Sequence, residues 1–135
     1  MKLIHRPLYI NQLKDVLNTP DIKILTGIRR CGKSKLLAEL IGYICSTDPK
    51  ANIIDIDLKL IKNEPLREYH VLYNFITSHY RDGATNYLMI DEVQMCKNFE
   101  LAVNSLYSED KYRISFGCKV TNNFLRHIAK SRIFK

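Results

Sequence analysis

The chain has 135 residues, 46% of them hydrophobic and 26% charged, a composition typical of a folded globular protein rather than a disordered or fibrous one. Its apolar runs are too short to span a bilayer and its first residues lack the apolar stretch of a signal peptide, so we expect a cytoplasmic protein with no membrane partner. The net charge of +7 lies entirely in residues 111–135, which contain seven basic and no acidic side chains, whereas residues 1–110 contain 14 of each sign.

The predicted elements begin with a helix over residues 7–17, where apolar side chains recur at helical spacing. Residues 22–26 (IKILT) are apolar and rich in β-branched side chains, which is typical of a short buried strand. Helical spacing of apolar residues then predicts a second helix, from residue 35 to about residue 45.

Between this strand and this helix, residues 27–34 (GIRRCGKS) match the pattern G-x-x-x-x-G-K-[ST]. In that loop the backbone N–H groups surround nucleotide phosphates, the lysine contacts the β- and γ-phosphates, and the hydroxyl ligates Mg²⁺. Because strand, glycine loop and helix is the context that the motif requires, we expect a nucleoside triphosphate to bind here. The expected nucleotide contacts are Gly27, Arg29, Arg30, Cys31, Gly32, Lys33, Ser34 and Lys35.

Strands and helices continue to alternate along the rest of the chain. The remaining predicted strands cover residues 52–57, 86–90 and 112–116, and the remaining predicted helices cover residues 66–80, 99–107 and 122–129. Alternation of this kind predicts a parallel sheet with helices on both faces. We therefore expect an α/β fold, the three-layer sandwich of P-loop NTPases with a mostly parallel sheet. It forms a single domain over residues 1–135, with a basic C-terminal segment at residues 111–135.

A second motif follows the strand at residues 86–90, where the apolar run YLMI ends in Asp91 and Glu92. Carboxylates buried at the end of a parallel strand require a compensating cation, and Mg²⁺ on nucleotide phosphates is a natural one. We expect Asp91 and Ser34 to ligate this ion, directly or through water. Glu92, ionised at neutral pH, is expected to polarise the attacking water, so that Glu92 and Lys33 are the predicted catalytic residues.

Two further carboxylates end the strand at residues 52–57. Asp55 and Asp57 could reach the same edge of the sheet, because parallel strands present their carboxyl ends together. We expect both to be structural rather than catalytic.

Three segments together resemble AAA-type ATPases of bacteria and archaea: residues 26–34 (TGIRRCGKS), residues 87–94 (YLMIDEVQ) and the asparagine–leucine pair within residues 103–106 (VNSL). The resemblance covers residues 4–112, and its more specific parts are the arginine pair in the loop and Gln94 after the two carboxylates. It implies ATP rather than GTP as the nucleotide, with Gly27, Gly32, Lys33 and Ser34 binding ATP and Mg²⁺, Asp91 coordinating the metal and Glu92 acting as the base.

The resemblance also implies partners, because in that family a C-terminal domain of uncharacterised function, often with a DNA-binding-like module, follows the P-loop domain. We expect such a domain or other protein subunits to be the partners of this chain. The sequence departs from the family at residues 114–119 (ISFGCK), which lack the asparagine that senses the γ-phosphate, and it stops at residue 135. Residues 131–134 (SRIF) resemble the family's serine–arginine–aromatic segment, which makes Arg132 a candidate phosphate-facing arginine.

These departures lead us to expect a sheet that is incomplete at its C-terminal end and ATP binding that outlasts hydrolysis. Rapid hydrolysis requires a charge-stabilising arginine, which is often supplied by another subunit. Two alternatives stay open. The first is a small P-loop kinase, although a glutamate directly after Asp91 favours water as the acceptor. The second is a nucleic-acid-binding module that uses the basic segment, with a vestigial nucleotide site.

Overall fold

The structure is a computed structural model that describes residues 6–25, 30–118, 128 and 131–134. For residues 6–10, 30–34 and 131–134 it describes only the helix or strand to which they belong. The helices are α1 (Arg6–Val16), α2 (Arg30–Thr47), α3 (Tyr69–Ser78) and α4 (Phe99–Glu109). The strands are β1 (Ile22–Leu25), β2 (Asn52–Asp57), β3 (Asn86–Asp91), β4 (Tyr112–Gly117) and β5 (Ser131–Phe134). Short 3₁₀ helices at Ile61–Arg67 and Val93–Met95 follow β2 and β3.

The described strands form one parallel sheet in the order β2-β3-β4-β1-β5. Since all the strands run in the same direction, their carboxyl ends lie at one edge of the sheet, which we call the carboxyl edge; the opposite edge is the amino edge. The carboxyl ends of β1 and β3 are separated only by β4, so these two strands lie about 10 Å apart.

Helices cover both faces of this sheet, because side chains alternate between the faces along each strand. One apolar cluster joins α1 and α2 to the odd-numbered positions of β1 and β3, through Leu13, Leu17, Leu25, Leu36, Leu37, Leu40, Ile44, Tyr87 and Met89. The other cluster joins α3 and α4 to the even-numbered positions of the strands, and includes Ile24, Ile54, Ile56, Leu72, Ile76, Leu88, Ile90, Val103, Leu106, Ile114 and Phe116. The predicted three-layer α/β sandwich is therefore confirmed.

A buried lysine ties α1 to β1. Lys23 is only 1% exposed, and its Nζ donates hydrogen bonds to the carbonyl oxygens of Leu17 (3.2 Å) and Thr19 (2.6 Å), just beyond the end of α1. A cation at this position also interacts favourably with the negative end of the helix dipole. The strand that leads into the glycine loop is therefore held from its amino side by the first helix.

The predicted helix over residues 66–80 is wrong at its beginning. The chain first forms the 3₁₀ helix Ile61–Arg67, which contains Pro65, and α3 begins only at Tyr69. Glu68 explains this boundary, because its carboxylate accepts hydrogen bonds from the backbone N–H groups of His70 and Val71, both at 3.2 Å, and so caps α3.

The C-terminal segment contains a strand that the sequence analysis does not predict. Residues 131–134 form β5, and β5 pairs with β1 on the side opposite β4. The strand before the glycine loop is therefore an interior strand. The predicted helix over residues 122–129 lies outside the described residues except for residue 128.

The basic segment at residues 111–135 contributes two strands to the sheet, β4 and β5. The Nζ of Lys111 lies 5.1 Å from the centre of the Tyr80 ring, in a cation–π contact. Arg113 is half-buried within β4. Among the residues that the structure describes, no helix has the length and apolar character needed to cross a membrane.

Candidate nucleotide-binding site

The glycine-loop motif spans the connection between β1 and α2. β1 ends at Leu25, whose carbonyl oxygen accepts a hydrogen bond from the N–H of Cys118 (3.1 Å), the residue directly after β4. The end of β1 is thereby fixed beside the end of β4 at the carboxyl edge. Gly27 and Arg29, both predicted nucleotide contacts, lie outside the described residues.

The rest of the motif forms the first turns of α2. Arg30, Cys31, Gly32, Lys33 and Ser34 all belong to this helix, and the description of them stops at the backbone. The first four N–H groups of a helix have no partner within it, and together with the helix dipole they favour a bound anion. A helix that begins within the motif is one part of the geometry that phosphate binding requires. The next predicted contact, Lys35, is exposed.

The second motif lies at the same edge. Asp91 is the last residue of β3, and Asp91 and Glu92 are only 8% and 5% exposed. The Oδ1 of Asp91 accepts a hydrogen bond from the N–H of Glu92 (2.9 Å). By strand alternation Asp91 lies on the face that α1 and α2 cover, as Met89 does. The structure therefore brings Asp91 and the start of α2 to one edge and one face of the sheet.

Glu92 has a backbone conformation that is rare for its residue type. Its φ is 58° and its ψ is 46°, in the left-handed region, which costs a residue with a side chain about 1–2 kcal/mol. Its carbonyl oxygen accepts the N–H of Met95 (3.0 Å), and its Oε1 accepts a hydrogen bond from Nε2 of Gln94 (2.7 Å). Backbone strain of this kind clusters at functional sites, because the surrounding structure must hold it in place.

Asp55 and Asp57 approach the same site from β2. Asp57 is the register partner of Asp91 in the β2–β3 pair. Partial burial, followed by the negative charges of Asp57 and Asp91, raises the pKa of Asp55. Asp57 also has a structural contact, since its Oδ1 accepts the N–H of Lys59 (3.0 Å) in the turn after β2. Asp57 therefore lies at this edge and Asp55 lies two residues before it, and their expected structural rather than catalytic role stays a prediction.

The donor set at this edge suits magnesium bound together with a nucleotide. Within the described part of the chain, no group of three or more His, Cys, Asp or Glu side chains could hold a metal ion. Mg²⁺ in nucleotide sites is instead held by one or two carboxylates, substrate phosphates and water. Asp91, a carboxylate buried at a sheet edge beside a helix start, is a donor of the kind that such a site uses.

Two features of the site were absent from the sequence interpretation. The left-handed Glu92 has no sequence signature, since glutamate rarely adopts this conformation. The hydrogen bond from Gln94 to Glu92 was also missed, although Gln94 had been noted as part of the family resemblance. Arg132, the candidate phosphate-facing arginine, is the register partner of Lys23 in β5, two residues before that strand ends.

Comparison with protein families gives a match over most of the chain. The family described as "AAA domain" matches residues 19–126. An uncharacterized protein of Haemophilus influenzae is 26% identical over 120 residues, which make up 87% of this chain and 28% of that relative. The chain therefore spans little more than a quarter of the length of this relative.

Solved structures show the same fold at low sequence identity. Drosophila ORC bound to DNA aligns with a TM-score of 0.59 at 13% identity, over 90% of this chain and 79% of the other. The C. elegans protein PCH-2 aligns with a TM-score of 0.56 at 14% identity, over 95% of this chain and 38% of the other. The Pif1 helicase from Candida albicans aligns with a TM-score of 0.55 at 12% identity, over 99% of this chain and 40% of the other.

Proposed function

The chain belongs to the AAA domain family, and we propose from this premise that it binds magnesium–ATP at the carboxyl edge of its sheet and hydrolyses it slowly. A P-loop ATPase-like fold is shared with its structural neighbours. The observation that carries the proposal is the buried pair Asp91 and Glu92, which lies at the same sheet edge as the first turn of α2.

Phosphate binding is assigned to the glycine loop and the start of α2. The backbone N–H groups of residues 29–34 surround the phosphates, and Lys33 supplies a cation between the β- and γ-phosphates. Ser34 ligates Mg²⁺ through its hydroxyl group. The placement of these residues at the N-terminus of an 18-residue helix supports this assignment.

The chemical step is assigned to the end of β3. Asp91 holds Mg²⁺, directly or through its water ligands, and the ion offsets the cost of burying this carboxylate. Glu92 orients and polarises the water that attacks the γ-phosphate. A carboxylate next to the metal ligand favours transfer to water over transfer to a metabolite, which disfavours the kinase alternative.

Hydrolysis by the isolated chain is proposed to be slow. An arginine supplied from outside the active site accelerates such reactions by about 10³–10⁵-fold. A further domain or another subunit would be the source of that arginine. The nucleic-acid alternative has no support from the two basic side chains of residues 111–135 that the structure describes, because Lys111 lies over the Tyr80 ring and Arg113 is half-buried in β4.

Calorimetric titration with ATP and with GTP, each with and without Mg²⁺, tests the proposal. We expect Mg²⁺-dependent binding of ATP by the wild type and no measurable binding by Lys33→Ala, since charge-assisted phosphate contacts are about twice as strong as neutral ones. Lys50→Ala is the matched control. It removes the same charge from an exposed lysine before β2, at the amino edge, and should bind as the wild type does. Wild-type affinity in Lys33→Ala would reject the site.

A further inference from the structure

Gln94 contacts the proposed catalytic base without belonging to either motif pattern. It lies in the 3₁₀ helix Val93–Met95, directly after β3 and Glu92. Its side-chain amide donates a hydrogen bond of 2.7 Å to Oε1 of Glu92, a carboxylate that is 5% exposed. At this length the contact is a strong N–H···O hydrogen bond, so the amide determines where this carboxylate oxygen lies.

The backbone that carries Gln94 is anchored on both sides. Val93 is 0% exposed and Cys96 is 1% exposed, and both belong to the apolar cluster under α3 and α4. Cys96 donates its N–H to the carbonyl oxygen of Val93 (3.0 Å), and Met95 donates to that of Glu92 (3.0 Å). The amide of Gln94 is therefore presented to Glu92 from a rigid turn rather than from a free loop.

The chemical type of this partner matters. A lysine or arginine beside Glu92 would compensate the negative charge that a base needs, whereas a neutral amide orients the carboxylate and leaves that charge in place. A carboxylate can accept hydrogen bonds at both of its oxygens, so an amide at Oε1 is compatible with a water held by the same group.

We propose that Gln94 is a positioning residue that fixes the orientation of the Glu92 carboxylate for activation of the attacking water. This inference rests on the proposed ATP hydrolysis. It differs from a purely structural role of Gln94 in what it predicts. A structural role alters stability and nucleotide affinity together, whereas a positioning role alters the chemical step alone.

The kinetic test uses Gln94→Met, which keeps an unbranched side chain of similar length and removes the donor. We expect kcat for phosphate release to fall by about 10–100-fold, the range for small misplacement of a catalytic group, with KM and ATP affinity within about twofold of the wild type. Met95→Ala is the matched control, because Met95 is 37% exposed on the same turn and should keep wild-type kcat. Unchanged kcat in Gln94→Met overturns the proposal, and so does a parallel loss of ATP affinity.

A double variant shows whether Gln94 acts through Glu92. In a Glu92→Ala background, adding Gln94→Met should lower the residual rate by no more than about twofold, since the group to be positioned is already absent. A full additional 10–100-fold loss in that background contradicts a role through Glu92.

A second measurement is independent of turnover. The side-chain N–H₂ resonances of Gln94 in ¹⁵N-labelled protein are assigned by their disappearance in Gln94→Met, and they should shift when Glu92→Ala removes the acceptor. Resonances that stay in place reject the contact itself. Wild-type protein that binds ATP but releases no phosphate overturns the proposed hydrolysis and the positioning role with it, while the resonance shift still reports separately whether the contact exists.

Discussion

The two edges of the sheet are built from different chemistry. At the amino edge, Asn52 donates to the side chain of Asn86 (2.7 Å) and to the carbonyl oxygen of His79 (2.6 Å). Asn86, which is 1% exposed, also donates to the carbonyl oxygens of Arg81 and Ala84 (both 3.0 Å) and accepts the N–H of Arg81 (2.9 Å). Neutral amides thus satisfy each other and the loop before β3.

The carboxyl edge instead gathers negative charge. Asp55 and Asp57 of β2 lie beside Asp91 and Glu92 at the end of β3, and partial burial, followed by the charges of Asp57 and Asp91, raises the pKa of Asp55. An edge of internally satisfied amides stabilises the fold, whereas clustered carboxylates repel one another, and we propose that bound Mg²⁺ offsets this repulsion. Substitution of the amino-edge amides should therefore change stability, whereas substitution of Glu92 at the carboxyl edge should change catalysis.

The largest expected effect is on catalysis, at the carboxyl edge. Glu92→Gln should reduce phosphate release by about 10²–10⁴-fold, the usual contribution of a positioned acid or base, because the amide cannot accept a proton from water. ATP affinity should stay near that of the wild type, since the phosphates are held by α2 and Lys33. Phosphate-release assays and calorimetry on the same preparations measure both quantities. A variant that hydrolyses ATP at the wild-type rate would remove Glu92 from the mechanism.

At the amino edge, truncation of a buried amide side chain should change stability and leave nucleotide binding unchanged. Asn86→Ala removes four part-buried hydrogen bonds of a buried side chain, which should lower the free energy of unfolding by about 1–3 kcal/mol. Chemical denaturation measures this loss, and nucleotide affinity should be unchanged once the protein is folded. Asn74→Ala, at an exposed position of α3, is the control and should stay within about 0.5 kcal/mol of the wild type. A weaker affinity for ATP in folded Asn86→Ala would contradict the expectation that the amino-edge amides affect stability and not nucleotide binding.

Much of this arrangement could be predicted from the sequence, because the signals were local. The apolar run before Asp91 predicted β3, and the strand at residues 52–57 has the predicted bounds. The start of α3 was misplaced since apolar spacing continues through Leu66, while the carboxylate of Glu68 decides where the helix begins. β5 was missed because four residues with two polar side chains give too weak a signal without the neighbouring strand that pairs with them.

The candidate site also has some features that the sequence shows and others that it does not. Its residue types and spacing are visible in the sequence, so Lys33, Ser34, Asp91 and Glu92 could be assigned roles before any coordinates. The order of the strands, which places β4 between the two motifs, depends on crossover connections that have no local signature. The contact from Gln94 depends on a backbone turn that side-chain periodicity does not encode.

The smallest expected effect concerns the charge of Asp55 at the carboxyl edge. Because the pKa of Asp55 is raised in the fold above its ordinary value of 3.8, the folded state binds the proton more tightly than the unfolded state does, and stability falls as the pH rises through the folded pKa. Asp55→Asn should therefore stabilise the protein at pH 7, by no more than about 0.5 kcal/mol, since Asp55 is only partly buried and solvent screens its charge. The gain should vanish as the pH falls towards 3.8, where the wild-type carboxyl is protonated. Denaturation curves at several pH values measure it, with Asp82→Asn, an exposed carboxylate in the loop before β3, as the control that should show no gain. A gain that grows on acidification would instead mean that the fold stabilises Asp55 as an anion.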